Sequence, residues 1–337
     1  MFFFRKKMAP PPSLTLEGSL GPNDRLDEAD AIPVTAPETI CVAGDALLIS
    51  SGRDLYRLEA WGAPLERVQS FEADITALTA SPEGQIAVVL TGGQLQVFGG
   101  ETPWSAPQLN GVADLVFLSE SELAVVEHGY AEDQPVLSYA PWDTARRGQV
   151  LAVHRNGSTR RLSEALHCPM GIVAAGEALC VSQLDQACIV EVEGALRQQG
   201  FPAYLGRLCE TRTGYAIACL SRRNPLIEFL KTEKSFVRMM KETIDPRNWI
   251  APRATPEFAH DFPMALGATR LFGEIKPWAP SFSYGLIIET DKNFVPVGSA
   301  HCRANGHRHA ITDVVEWNGD LIAVSRASGE ILNLGAI

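Results

Sequence analysis

The stretch HCPMGIVAAGEALCVSQLDQACIVEV (167–192) places two short apolar runs around a Gly-Glu turn and a third after a polar break. Its apolar residues do not recur at helical spacing, and runs of about five residues parted by turn chemistry are strand signals. The outline repeats at 38–58 (ETICVAGDALLISSGRDLYRL), 75–98 (ITALTASPEGQIAVVLTGGQLQVF) and 311–334 (ITDVVEWNGDLIAVSRASGEILNL). Two more copies are interrupted: 112–129 resumes at 148–162, and 204–221 resumes at 284–298. Neighbouring turns lie roughly 35–55 residues apart, the blade period of a β-propeller. One small sheet cannot bury both of its faces, whereas six stacked around an axis bury them all and leave only short edges. A β-sandwich with coincident spacing is the competing arrangement. The repeat predicts an all-β fold, a six-bladed β-propeller over 36–337, preceded by an N-terminal extension, 1–35.

Two segments break the period. Residues 130–147 form a loop inside blade three, and 222–283 are a long insertion in blade five. In the insertion Asn224 is placed to cap a helix that Pro225 begins. Apolar residues at 226, 227, 230, 236, 237, 240 and 244 then predict one or two amphipathic helices, a helical cap over one mouth of the propeller. Arg222, Arg223, Lys231, Lys234, Arg238 and Lys241 make the segment basic in a chain of formal net charge −11. A peripheral contact through 224–244, with a membrane surface or a partner, is therefore an alternative to a plain cap.

The same acidic balance argues against nucleic acid or anionic lipid as the main partner. No apolar stretch approaches the roughly 18–20 residues of a transmembrane segment. The start, MFFFRKKMAPPP, sets three aromatics before a basic cluster, the reverse of a secretory signal. Seven cysteines include no CxxC pair, and several sit in apolar runs where a thiol acts as a small hydrophobe. The expected setting is cytoplasmic, with reduced thiols. There is no GxGxxG, P-loop, GxSxG or HExxH. The one dense polar constellation is AHCRANGHRHAITD (300–313), with His301, Cys302, His307 and His309. Such a set could bind zinc, or a single histidine at a tunnel mouth could act as a base near neutral pH; a solvated loop is the plainer reading. Glu127-His128 and His167 fall on the same rim by the repeat.

SRRNPLIEFLKTEKSFVRMMK (221–241), YGLIIETDKNFVPVGSA (284–300) and ITDVVEWNGDLIAVSRASGEI (311–331) together resemble the strictosidine-synthase-like proteins. These belong to the gluconolactonase and senescence-marker-protein superfamily of six-bladed propellers. CPMGIVAAGEALCVSQ resembles that family's PNGI strand and APETICVAGDALLIS its opening GPE strand, so the resemblance covers most of 36–337. It implies a lactonase- or esterase-like hydrolase acting on a small molecule in the central tunnel, with a cation, commonly calcium, on the axis.

Carried over position by position, Glu38 matches the GPE glutamate and Asp114 a ligand of blade three. Met170 replaces the PNG asparagine, and Ala203-Tyr204 replaces the Asp-Asn of the family's YPDN. A hard cation needs about six to eight oxygens, and a thioether is no ligand for it. Calcium is thus possible but disfavoured, and no other cofactor is implied. A non-catalytic small-molecule or partner-binding propeller with a degenerate metal site is the alternative to the hydrolase. Thr312 stands where strictosidine synthase carries its glutamate, and a hydroxyl of ordinary pKa cannot replace a carboxylate as general base, so Pictet–Spengler condensation does not carry over. The candidate catalytic residues are Glu38 and His309. Asp114, Met170, Tyr204 and Thr312 are candidates for ligand binding. Glu38 and Asp114 are the remnant of the metal set, or partners of an arginine.

Overall fold

In the computed structural model, which describes residues 14–255, 270–271, 274–275 and 283–336, the chain enters the ring with a short strand, β1 (Asp30–Pro33). Blade one follows as β2 (Ile40–Ala43), β3 (Ala46–Ser51), β4 (Asp54–Leu58) and β5 (Glu66–Ser70). Blade two has three strands, β6 (Ile75–Ala80), β7 (Ile86–Leu90) and β8 (Gln94–Phe98). Blade three is β9 (Val112–Ser119), β10 (Glu122–Glu127), β11 (Gly148–His154) and β12 (Thr159–Leu166), with the predicted loop between its second and third strands. Blade four is β13 (Pro169–Ala175), β14 (Ala178–Gln183), β15 (Cys188–Glu191) and β16 (Leu196–Gln199).

The insertion carries a two-residue pair, β19 (Arg270–Leu271) and β20 (Glu274–Ile275). Blade five holds β17 (Ala203–Glu210), β18 (Tyr215–Arg222), β21 (Gly285–Thr290) and β22 (Pro296–Cys302) around it. Blade six is β23 (Ile311–Trp317), β24 (Asp320–Ser325) and β25 (Glu330–Ala336), completed by β1.

The innermost strands touch in sequence, β2 to β6, β9, β13, β17 and β23, and β23 returns to β2. The ring is a six-bladed β-propeller. It is closed by β1, whose Asp30 and Pro33 pair with Asn333 and Glu330. The repeat alone starts the propeller at residue 36, but part of the N-terminal extension is the outer strand of the last blade. Its pairing partner lies some three hundred residues away, so no local period announces it. The core lies between blades: Ile49, Leu58, Val324 and Ile331, for instance, are wholly buried between blades one and six. Each such side chain contributes roughly 1.5–3 kcal/mol.

Two short helices, α1 (Arg25–Glu28) and α2 (Val136–Tyr139), lie outside the insertion. The insertion itself opens with α3 (Pro225–Thr232) and α4 (Lys234–Thr243). The Asn224 carboxamide oxygen accepts from the amides of Leu226 at 2.9 Å and Ile227 at 3.4 Å, the predicted N-cap. The apolar stripe packs Ile227 and Met240 against Trp142 and Trp249, and the Trp142 indole donates to the Ile250 carbonyl at 2.8 Å. Cap and blade-three loop are thus one layer. The remainder of the predicted 222–283 insertion falls mostly outside the described residues. Among the described residues no helix is long and apolar enough to cross a membrane. All seven cysteines are free thiols and six are buried.

Candidate functional site

At the cap end of the ring the first strand of four blades slips by one residue against the second. The slips fall between Ile75 and Ala77, Val112 and Asp114, Pro169 and Gly171, and Ile311 and Asp313. The residues left over are Thr76, Ala113, Met170 and Thr312. Such bulges re-aim backbone and side chain. Blade five differs: Leu205 pairs with Cys219 and Leu208 with Ile217, so Gly206 and Arg207 together oppose Ala218.

This irregularity sends the Arg207 side chain to the axis, where it is 7% exposed. Its Nε donates to the Ala113 carbonyl at 2.9 Å. One terminal nitrogen donates to the carbonyls of Glu38 (3.1 Å) and Thr312 (3.2 Å), the other to that of Thr76 (2.6 Å). Four blades therefore place their backbone oxygens on one guanidinium. Its fifth neighbour on the ring, Gly171, is a glycine for a reason: a Cβ there would come within 2.6 Å of the Arg207 Cα.

The carboxylates are arranged around this charge. Glu38 lies 3.6 Å from Arg207 and 3.0 Å from Arg326, bridging the two. Asp114 approaches the guanidinium only to 3.9 Å. One of its oxygens accepts from the Ile172 amide in blade four (2.9 Å), the other from Leu115 (2.9 Å). Asp313 does the same between blades six and one, accepting from Thr39 Oγ1 (2.7 Å) and the Ile40 amide (3.0 Å). Both aspartates are inter-blade staples. Burial pushes the Asp114 carboxyl up to about 7, against the pull of Arg207, and raises Asp313 likewise. Burial would lower Arg207, but Asp313, Glu38 and Asp114 outweigh it and hold the group above its ordinary value.

Above the guanidinium lies a cavity of about 480 Å³. Its polar lining includes Glu38, Thr76, His128, Thr312 and Arg326; its apolar walls include Val112, Val136, Met170 and Leu220. The blade-three loop forms part of its rim, where Glu132 accepts from the Gly92 amide. His128 Nδ1 accepts from the Tyr130 amide at 3.1 Å, so the neutral ring carries its proton on Nε2. Burial pushes the His128 pKa down to about 4.

Glu38, Met170 and Thr312 are brought together at this cavity, with Asp114 just behind it. Met170 faces the cavity and packs on Cys168, Tyr204 and Leu220. Tyr204 does not line the cavity. It is fully buried, its hydroxyl donates to Glu228 at 3.1 Å, and the Arg223 guanidinium covers its ring. Counting from the strand start puts Tyr204 on the axis; the irregularity beyond it gives that place to Arg207.

His309 does not reach the cavity either. It is buried between the Ser283 hydroxyl (3.0 Å) and the Arg303 carbonyl (2.8 Å). His301 bonds Tyr284 and Ser299 instead, and among the described residues no three His, Cys, Asp or Glu side chains converge as a metal site. His301 and His309 flank the Tyr284 ring, while His307 is exposed.

The axial oxygens do not fit a metal ion. Four carbonyls and the Glu38 carboxylate already face a resident cation, and Met170 offers sulfur where an oxygen would be needed. Arg207, Arg326 and Asp313 escape a reading by local period. A charged residue within the apolar run AYLGRLC and the Asp at equivalent places in blades three and six are the signals that could have marked them.

No family model matches the chain, and no curated protein matches it in sequence. Among solved structures it is similar to an X-ray structure described as that of a provisionally assigned gluconolactonase. The TM-score is 0.52 at 13% identity, over 91% of each chain. The fold is a gluconolactonase-like six-bladed propeller. At that identity the likeness is one of fold, and function rests on the site.

The buried histidines set a pH dependence. Burial lowers His301 and His128 to about 4 and His309 below its ordinary value. The unfolded chain takes up these protons near pH 6.5 while the folded chain does not, so their contribution is complete above about 6.5 and lost as pH falls towards 4. Asp114, raised to about 7, works the other way, stabilising at low pH and losing this as pH rises through 7. With histidines outnumbering the raised carboxyls, urea stability should fall between pH 6.5 and 4.5, by about 1.4 kcal/mol per pH unit for each net proton. His301→Gln should flatten the profile. Superimposable profiles would mean that another group is responsible.

Proposed function

We propose that this protein is a small-molecule-binding propeller that holds an organic ligand in the cavity above Arg207, with no divalent metal in the site. The occupied axis carries this reading: one guanidinium takes the carbonyls of Glu38, Thr76, Ala113 and Thr312. What is left above it is a concave space with apolar walls and a few polar groups, the usual character of a ligand site. Met170 and Leu220 offer an apolar wall, and Arg326, Glu38 and the His128 Nε2–H offer orientation.

A lactonase- or esterase-like hydrolase is the second reading, favoured by the gluconolactonase-like fold and by a carboxylate and a neutral imidazole on one cavity. In it Glu38 and His128 would take the proton-transfer roles without a metal.

A screen of lactones, aryl esters and small organic acids by melting temperature and by turnover separates the two. A bound ligand at a hundredfold excess over Kd stabilises by roughly 2.7 kcal/mol. Binding without turnover, lost in Val136→Trp, which fills the cavity, is the expected result. Turnover abolished by Glu38→Gln would establish the hydrolase instead. Millimolar calcium should leave the melting temperature within about a degree of its starting value, in the native protein and in Met170→Asn alike. A rise of several degrees would show that the guanidinium yields to the ion.

A further inference from the structure

The cap is charged against the rest of the molecule. Residues 222–253 carry eight Lys and Arg against four Asp and Glu, in a chain whose formal net charge is −11. Much of this charge is committed: Arg223 is buried against Asp185 and Glu228, and Lys231 joins them. Lys234, Arg238 and Lys241 are different. They lie at i, i+4 and i+7 on α4, which puts them on one face, opposite the Met240 side that packs on the cap core. All three are exposed and none forms an ion pair with a described residue. Two long apolar side chains stand exposed on the same pair of helices, Phe229 at 59% and Met239 at 54%.

We infer that the α3–α4 cap is a docking surface for an anionic lipid bilayer. A basic face on an acidic body is attracted to negative lipid while the body is kept away from it; Glu242 beside these cations reduces their charge without cancelling it. Phe229 and Met239 add apolar contact at the headgroup boundary, the combination that interfacial segments use. These two exposed side chains favour a bilayer over an acidic protein as the occupant. The cap shares a layer with the blade-three loop that lines the cavity, so docking sets the cavity mouth beside the lipid surface.

The test is flotation of the full-length protein with vesicles of phosphatidylcholine alone or with about a third phosphatidylserine, at low and at roughly 0.5 M salt. Binding should require phosphatidylserine and vanish at high salt. Lys234→Gln/Arg238→Gln/Lys241→Gln should weaken it about 100-fold, and Phe229→Ser/Met239→Ser several-fold, with unchanged circular dichroism because all five side chains are exposed. Absence of binding at low salt, equal binding to both vesicles, or binding unaffected by the triple substitution would overturn the inference, including the case where only an acidic protein is retained.

Discussion

Arg207→Met should lower the unfolding free energy by about 3–5 kcal/mol, the largest loss expected from any single change at the axis. The guanidinium holds the backbones of blades one, two, three and six at one point, and its removal strands four carbonyls and leaves Glu38 with Arg326 alone. A buried acceptor without its donor costs roughly 1–3 kcal/mol, and water entering from the cavity offsets part of that sum. Arg207→Lys should recover little. An ammonium has three donors on a flexible stem and cannot span four carbonyls that match a planar fork. Urea denaturation of both variants measures this directly. A loss below about 1 kcal/mol for Arg207→Met would mean that solvent replaces the guanidinium at no cost and that the axis is not a structural cation site.

Arg223→Met should have a comparable effect, about 3–5 kcal/mol, with a different local signature. Arg223 is 1% exposed, lies 3.1 Å from Glu228 on α3 and 3.5 Å from Asp185 in the β14–β15 turn of blade four, and donates to the Asp185 carbonyl at 2.9 Å. Lys231 reaches Asp185 at 2.7 Å and Glu228 at 3.4 Å. Removing the arginine leaves the buried Asp185 and the half-buried Glu228 with one half-buried lysine, so the first turn of α3 should loosen from the blades. Hydrogen exchange should therefore rise across 225–243 before it rises in β13 or β23, and limited proteolysis should cut the cap first. Uniform exchange throughout the chain would contradict this, since it would make the cluster part of the global core and not the root of the cap. The same cluster bears on deletion of the insertion. Removing 226–255 takes away Glu228 and Lys231 together and leaves Arg223 paired with Asp185, so a deletion variant should fold with both of these residues in place.

How far the site was legible follows from where its information lies. Glu38, Met170 and Thr312 could be placed on one ring because equivalent positions of a repeat converge on a common axis, and the cavity joins them. Asp114 is displaced by one position. Ala113 supplies the axial carbonyl, while the aspartate turns to staple Ile172. Tyr204 and His309 were misplaced for separate reasons. Tyr204 lies before an irregularity that a period-of-two count cannot register, and His309 is claimed by Ser283 and the Arg303 carbonyl before it can face the tunnel.

What the chain determined by itself is everything set by near neighbours: strand runs of about five residues, the turns between them, six copies of the unit, the interrupted blades, and the Asn224-Pro225 start of the cap. These follow from side-chain period and turn chemistry over a few residues, and tertiary context has little to overrule. The tertiary structure alone decided which group stands on the axis, which strand closes the ring, and which acids become staples. Each depends on backbone atoms of blades far apart in the chain meeting at one place, as when Arg207 gathers carbonyls from residues 38, 76, 113 and 312. A one-residue slip of register moves a different side chain into that place, and only the closed ring selects the register that fills it.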